Sequence, residues 1–457
     1  MSHAAMLAKM RDYFASGVTR SEAFRKEHLI ALKHAIKKQE VAINEALYAD
    51  LHKSPEEVWV AETGIVLEEI NNALKNLSRW MRPQKVSTNL LNLPSSSRIE
   101  AEPLGVTLII APWNYPFQLL INPLVGAIAA GNCAVLKPSE LAPATSALMK
   151  KLIEDTFAPS YVACVEGDGA QVVPALLQEG KFDHVFYTGS TLVGRIVYKM
   201  AADQLIPVTL ELGGKSPCVI EADASLTVAA KRIALTKYNN AGQICVAPDY
   251  ILVHASVKEK FVATLAKTLD QFFGADPAQS PHYGRIINEK QFDRLVNYLS
   301  QGKIVYGGQH DRTHKFIAPT LLEEVSLEAP LMNEEIFGPL LPIITYNTRE
   351  EALDIIRRHP NPLAFYLYTN DRTQEKEWLQ QVPAGGACVN NSVFHLLNHH
   401  LPFGGRGNSG LGAYHGKYSF DTFSHKKAVL RTPVWPDPSI KYPPFKGKLG
   451  LFKKLLG

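Results

Sequence analysis

Three short segments of this chain place a thiol, a carboxylate and a side-chain amide in settings that favour chemistry. Cys245 closes Asn240-Ala241-Gly242-Gln243-Ile244-Cys245, Glu211 opens Glu211-Leu212-Gly213-Gly214-Lys215, and Asn114 lies within Pro112-Trp113-Asn114-Tyr115-Pro116. Covalent oxidation of an aldehyde needs such a set: a sulfur nucleophile, a base to activate water and a donor for the oxyanion. The small, turn-prone residues before Cys245 and Val246-Ala247-Pro248 after it put the sulfur in a loop, where backbone amides can point at it. Glu211, between Leu210 and Leu212, sits in apolar company that raises a carboxyl pKa toward a base's range. Asn114 follows a strand-like run at 106–110; flanking prolines fix its backbone and leave its side chain free to aim. Taken singly, each has a plainer reading: a buried inert cysteine, a structural ion pair, a turn former.

Other segments suit a dinucleotide. Gly189-Ser190-Thr191-Leu192-Val193-Gly194 follows strand-like Val185 to Tyr187 and opens a helical pattern, so its glycines let the backbone approach a pyrophosphate at a helix N-terminus. It is not the G-x-G-x-x-G fingerprint, and a glycine-rich helix start that binds nothing fits almost as well. Lys137 and Glu140 follow another strand-like run and could contact an adenosine ribose, or simply pair near a helix cap. Glu334-Glu335-Ile336-Phe337-Gly338-Pro339 reads by itself as a charged helix end running into a turn.

The elements that must hold these groups are legible from periodicity. Phe14, Phe24, Leu29, Leu32, Ile36, Ile43 and Leu47 recur at helical spacing from Ala4 to about Asp50, and a second helical stretch runs from about Pro55 to Trp80. Pro83 to Pro103 reads as an extended hairpin or arm, with a turn at Ser95-Ser96-Ser97. Beyond it, strands at 106–110, 133–137, 161–165 and 184–187 alternate with helices near 117–130, 141–157, 169–178 and 191–203. That alternation implies an α/β fold with a parallel, doubly wound sheet, whose ligands sit at the carboxyl ends of the strands, where Asn114, Lys137 and Gly189 fall. After Leu210 a second series runs to about Val393, with strands at 217–220, 251–254, 341–345 and 363–368. Past His395 the chain turns rich in glycine, proline and aromatic residues.

Composition narrows the class. With 457 residues the chain exceeds one hydrophobic core, and 46% hydrophobic with 20% charged residues suits a globular enzyme. The net charge of +4 comes from the tail: without Lys441, Lys446, Lys448, Lys453 and Lys454, 43 basic residues face 44 acidic ones. Such a body has no electrostatic footprint for nucleic acid. Five scattered cysteines without a C-x-x-C pair, and His399, His400 and His415 without ligand spacing, predict neither a disulfide framework nor a metal site. The start of the chain lacks a signal-peptide core and no apolar run approaches a membrane span, so a cytoplasmic location is expected.

Taken together and in order, these segments resemble the NAD(P)-dependent aldehyde dehydrogenase superfamily over nearly the whole chain, in particular its short, dimeric class 3 branch. The resemblance rests on EPLGVTLIIAPWNYPFQL from Glu102, KPSE from Lys137, YTGSTLVG from Tyr187, LELGGKSP from Leu210, NAGQICVAPDY from Asn240, EEIFGP from Glu334 and LPFGGRGNSGLG from Leu401. It implies Cys245 as nucleophile, Glu211 as the base for deacylation, and Asn114 with the Cys245 amide as oxyanion hole. It also implies Lys137 and Glu140 on the adenosine ribose, Gly189 to Gly194 by the pyrophosphate, and Glu335 with Phe337 around the nicotinamide and its ribose. Ile244 stands where the family usually has Thr, and Tyr187 where Phe is usual, which bears on substrate preference alone.

The implied organisation is a Rossmann-type cofactor domain (1–82 and 104–209), a catalytic domain (210–395), an oligomerisation element (83–103 and 396–440) and a basic amphipathic tail (441–457). The branch further implies a homodimer, aromatic or medium- to long-chain aliphatic aldehydes as substrates, and NAD as cofactor with NADP also accepted, since Glu140 repels a 2′-phosphate while Lys137 accommodates one. Phe445, Leu449, Phe452 and Leu456 share a helical face in the tail, which could rest on an anionic membrane surface, pack on a dimer partner or remain mobile. Two rivals remain: a coenzyme A-acylating aldehyde dehydrogenase, against which Glu211 argues, and a non-catalytic protein that keeps the fold.

Overall fold

The computed structural model describes residues 2–456; Met1, Gly457 and the side chains of Leu455 and Leu456, which the expected organisation includes, lie outside them. Helices α1 (His3–Ala15), α2 (Glu22–Lys38), α3 (Glu40–Leu51) and α4 (Gly64–Trp80) form the opening layer. Leu29, Leu32, Ile36, Ile43 and Leu47 are all buried there, as their spacing predicts. The expected second stretch is not uniform: a π-helical turn at Trp59–Thr63 separates Pro55–Val58 from α4. That wider turn exposes Trp59 and Val60 while burying Glu62 and Thr63.

The arm forms as β1 (Gln84–Val86) and β2 (Ser96–Pro103), paired antiparallel with Gln84 opposite Ile99. The connecting turn runs over 87–95, around a short 3₁₀ turn at Leu90–Asn92. Ser96 and Ser97, expected in the turn, already belong to the strand, because their pairing continues with a third strand described below.

The first parallel sheet follows. Strands β3 (Val106–Ile110), β4 (Cys133–Lys137), β5 (Val162–Cys164), β6 (His184–Thr188) and β7 (Val208–Glu211) alternate with α5 (Gln118–Ala130), α6 (Pro143–Thr156), α7 (Gly169–Glu179) and α8 (Thr191–Ala202). Strands β3, β4 and β6 are buried throughout, which explains why they read as mostly apolar runs. Every residue of α5 is buried as well, so this helix lies at the centre of the molecule.

The second sheet contains β8 (Pro217–Ile220), β9 (Tyr250–His254), β10 (Lys303–Tyr306), β11 (Thr320–Glu323), β12 (Leu340–Tyr346), β13 (Ala364–Tyr368) and β14 (Gly386–Val389), in the order β10-β11-β12-β9-β8-β13-β14. Helix α9 (Leu226–Tyr238) connects β8 to the loop that carries Cys245. Far downstream, β15 (Gly410–Leu411) returns to pair antiparallel with β7, so the first sheet runs β15-β7-β6-β3-β4-β5. Leu210 and Glu211, expected to open the second lobe, therefore stand in the first sheet, and residues 410–411 leave the expected bridging element to join it. The rest of that element supplies β16 (Ser424–Arg431), which pairs along the whole of β2, Ser424 opposite Pro103 and Arg431 opposite Ser96.

The tail ends in a helix at Leu449–Leu456, with Phe445 and Phe452 in edge contact at 5.8 Å and Leu449 exposed. Among the described residues, no helix is long and apolar enough to cross a membrane, and no group of His, Cys, Asp or Glu is arranged to hold a metal ion.

Candidate active site

The loop after β3 carries Asn114 inward, where it is buried. Its backbone carbonyl accepts from Lys53 Nζ at 2.8 Å and from Asn240 Nδ2 at 2.8 Å. Its side chain is less free than the flanking prolines suggest: Nδ2 donates to the Gln243 carbonyl at 3.0 Å, which leaves the second N–H of the amide for a ligand.

Cys245 follows a turn in which Asn240, Ala241 and Gly242 all have positive φ, at 50°, 50° and 77°. Only glycine suits the last position, since a Cβ on Gly242 would lie 2.2 Å from the Gly338 carbonyl oxygen. Gln243, which sequence reasoning passed over, locks this turn: Nε2 donates to the Asn240 and Arg285 carbonyls at 2.9 and 3.0 Å, and Oε1 accepts from Ile287 N at 3.0 Å. The backbone amides of Cys245 and Val246 act to lower the thiol's pKa. Burial nonetheless dominates and, helped by the Glu335 and Glu211 charges, pushes the thiol up to about 12.

Glu211 ends β7 with both carboxylate oxygens buried and, among the described residues, without a hydrogen-bond partner. The ion pair that would have made it structural is absent from that set, and burial holds its carboxyl well above the ordinary range. Thr188 Oγ1 at the end of β6 and Glu335 Oε1 are likewise buried and unpartnered.

Glu335 rests against bare backbone. A Cβ on Gly213 would lie 1.9 Å from Glu335 Oε2, so the glycine is what admits the carboxylate. Burial, reinforced by the Asp249 charge and eased by the Gly214 amide, lifts its pKa to about 8. Arg294 holds this loop by donating to the Glu335 and Ile336 carbonyls at 3.3 and 2.8 Å, and Phe337 meets the Trp113 ring edge-on at 5.2 Å.

Asn114, Thr188, Glu211, Cys245, Arg294, Glu335 and Phe337 line one cavity of about 310 Å³, together with Gly189 and Ser190. A larger open depression of about 410 Å³ near Lys181 and His425 contains none of them. Three expected cofactor residues stand off the cavity. Lys137 Nζ donates to Glu140 Oε2 at 3.0 Å at the end of β4, and Gly194 packs inside α8, where a Cβ would lie 2.5 Å from Leu212. Ser190 Oγ caps α8 by accepting from Val193 N at 3.4 Å, so the positive end of that helix opens beside the cavity.

Known proteins share this architecture. Residues 4–429 match the aldehyde dehydrogenase family. A 4,4'-diaponeurosporen-aldehyde dehydrogenase of Staphylococcus aureus (strain NCTC 8325 / PS 47) is 47% identical over 445 residues, covering 97% of this chain and 96% of that protein. Aldehyde dehydrogenase family 3 member H1 of Arabidopsis thaliana is 47% identical over 457 residues, covering 99% and 94%. The solved substrate-bound state of Staphylococcus aureus AldH superimposes with a TM-score of 0.97 at 45% identity, with 99% of each chain covered. The chain belongs to the aldehyde dehydrogenase family, and its relatives include class 3 members.

Proposed function

We propose that this enzyme oxidises aromatic or medium- to long-chain aliphatic aldehydes to carboxylic acids through a thioester on Cys245. The observation that carries the reading is the meeting of the Cys245 sulfur, a bare buried carboxylate and an amide with a spare N–H on one cavity. Buried polar atoms are rarely left unpaired, and here several orphans face the same space. The Cys245 thiolate attacks the aldehyde carbon, and the alkoxide that forms is held by the free N–H of Asn114 and the Cys245 amide. Loss of hydride turns the tetrahedral adduct into a thioester, and Glu211 takes a proton from the water that hydrolyses it. A carboxylate without other partners suits water activation, which favours hydrolysis over transfer to coenzyme A.

The cavity also fits a nicotinamide dinucleotide. The unpartnered Glu335 Oε1 offers an acceptor for a ribose hydroxyl, and the α8 N-terminus with Gly189 and Ser190 suits a pyrophosphate. Lys137 and Glu140, held together beyond the cavity, would take the adenosine ribose, with NAD preferred and NADP accepted. When bound, the group supplies the hydride acceptor.

The apolar side chains of Trp113, Leu119, Leu212 and Phe337 on the cavity wall support the substrate class, whereas Tyr115, Phe117 and Ile244 are buried and not among its walls. The three-stranded arm with open edges at β1 and β16 supports a homodimer. The tail, with Phe445 and Leu449 exposed among lysines, supports a weaker contact with a partner or a lipid surface. Reduction of NAD and NADP with benzaldehyde, hexanal and a long-chain aldehyde, in wild type and Cys245→Ser, tests the central reading. Turnover lost in the variant supports it; turnover that survives contradicts it.

A further inference from the structure

Beneath the cavity, the chain buries a second set of charges that the proposed chemistry does not use. Lys53 follows α3 just after His52, whose φ of 60° turns the chain inward. Its side chain and that of Glu62 are both 0% exposed, and Nζ donates to Glu62 Oε1 at 2.6 Å. Two further contacts complete the ammonium: the Asn114 carbonyl at 2.8 Å and the face of the Tyr115 ring, 3.8 Å from its centroid. Glu62 is seated in turn, since Oε2 accepts from Gln118 N at 2.8 Å where α5 begins.

This pair does not lie beside the oxyanion donor by chance of packing alone, because it bonds that residue's own backbone. The Asn114 carbonyl receives Lys53 from the opening helical layer and Asn240 from the cysteine turn, while the Asn114 side chain reaches Gln243 in the same turn. Glu57, a few residues before Glu62, accepts from Asn240 N at 2.8 Å and ties that turn to the same layer. The buried turn 53–62 thus clasps both loops whose relative placement sets the distance from amide to sulfur. Replacing a buried ion pair by uncharged groups of like size is often neutral for stability, so stability alone does not account for this arrangement. Constellations that bind a transition state need placement within about 0.5 Å, and locked supporting side chains supply it. The π-helical turn at Trp59–Thr63, a form frequent at functional sites, is what points Glu62 inward.

We propose that Lys53, seated by Glu62, is the positioning residue that sets the Asn114 amide for oxyanion binding, an inference that rests on the role proposed above for Asn114. The test is a cycle of wild type, Lys53→Met/Glu62→Gln, Asn114→Ala and the triple variant. In each, kcat and KM with hexanal, NAD binding by fluorescence and the thermal midpoint are measured. Lys53→Met alone strands the Glu62 carboxylate, which is why the paired change carries the test.

The paired variant is expected to lose at least about tenfold in kcat, the scale of a sub-ångström misplacement, with KM and NAD affinity within about threefold of wild type. Once Asn114 is alanine, the same change costs less than about twofold more, because coupled residues are not additive. A folded paired variant with kcat within about twofold of wild type overturns the inference. So does an equal loss in both backgrounds, or a paired variant that does not fold, since each marks a purely structural pair. Absence of turnover in wild type, or full turnover in Asn114→Ala, overturns the oxyanion reading itself, and is told apart because it is seen without any change at Lys53.

Discussion

Two buried glutamates, Glu62 below the cavity and Glu211 in its wall, are treated in opposite ways. Glu62 is paired with Lys53 and also accepts from the Gln118 amide, so each oxygen has a partner. Glu211 is buried with both oxygens bare. The fold sets a lysine and a backbone amide on one carboxylate and leaves the other without a partner. The contrast is the one expected from the proposed roles, Glu62 in support of the loops and Glu211 as base.

The sharpest way to break the comparison is on rate. Glu211→Gln should lower kcat by about 10²- to 10⁴-fold, the span for loss of a general base, with cofactor binding unchanged. A loss under about threefold would place the base elsewhere.

Stability should separate the two carboxylates with opposite sign. Glu62→Leu leaves the Lys53 ammonium buried and unpaired and should cost about 3–5 kcal/mol in urea unfolding. Glu211→Gln removes a buried carboxyl that gains nothing from partners and should leave stability equal or raised. The pH dependence follows from the same physics. The folded Glu211 carboxyl titrates above its unfolded counterpart, so the folded chain holds the extra proton and stability falls as pH rises between the two values. The Glu335 carboxyl, raised to about 8, adds a fall over the window from the ordinary carboxyl range up to that value. Glu211→Gln should flatten the first of these declines; an unchanged profile would contradict the assigned burial effect.

A smaller effect concerns the sulfur. With its pKa pushed up to about 12 by burial and by Glu335 and Glu211, Cys245 in the cofactor-free protein should alkylate slowly at pH 7 and faster at every step toward pH 10. Above about pH 8, where Glu335 is ionised, Glu335→Gln should speed that alkylation, measured by mass spectrometry of the Cys245 peptide. Smallest is the helix cap: Ser190→Ala should cost about 1 kcal/mol of stability and weaken cofactor binding by a few-fold at most.

Much of the architecture is legible in sequence because buried parallel strands are mostly apolar runs followed within two residues by glycine or proline. Val106–Ile110, Cys133–Lys137 and His184–Thr188 are of this kind, and their carboxyl ends fix where a site must lie. Lys303–Tyr306, Thr320–Glu323 and Gly386–Val389 were not legible: the first and last are short edge strands of the second sheet, exposed or half-buried, and the middle one is a buried run of only four residues with a charged end. The boundary near Leu210 shifts because β7 pairs with β6 and with residues some two hundred positions later, a partner no local pattern announces. Cys245, Glu211 and Asn114 stand out by residue type within turn-prone or apolar neighbours. Gln243 could have been found as a polar residue inside the same turn. Lys53 could not, since His52-Lys53-Ser54 reads as an ordinary surface loop and its partners lie 9 and 61 positions away.

The central claim is that Cys245 and Glu211 share one acyl intermediate, and trapping it is the most direct test. Intact-protein mass spectrometry of Glu211→Gln mixed with NAD and benzaldehyde should show one benzoyl group, mapped to Cys245, persisting after the first turnover. A variant that reduces NAD in repeated turnovers without acyl mass on Cys245 would contradict the account.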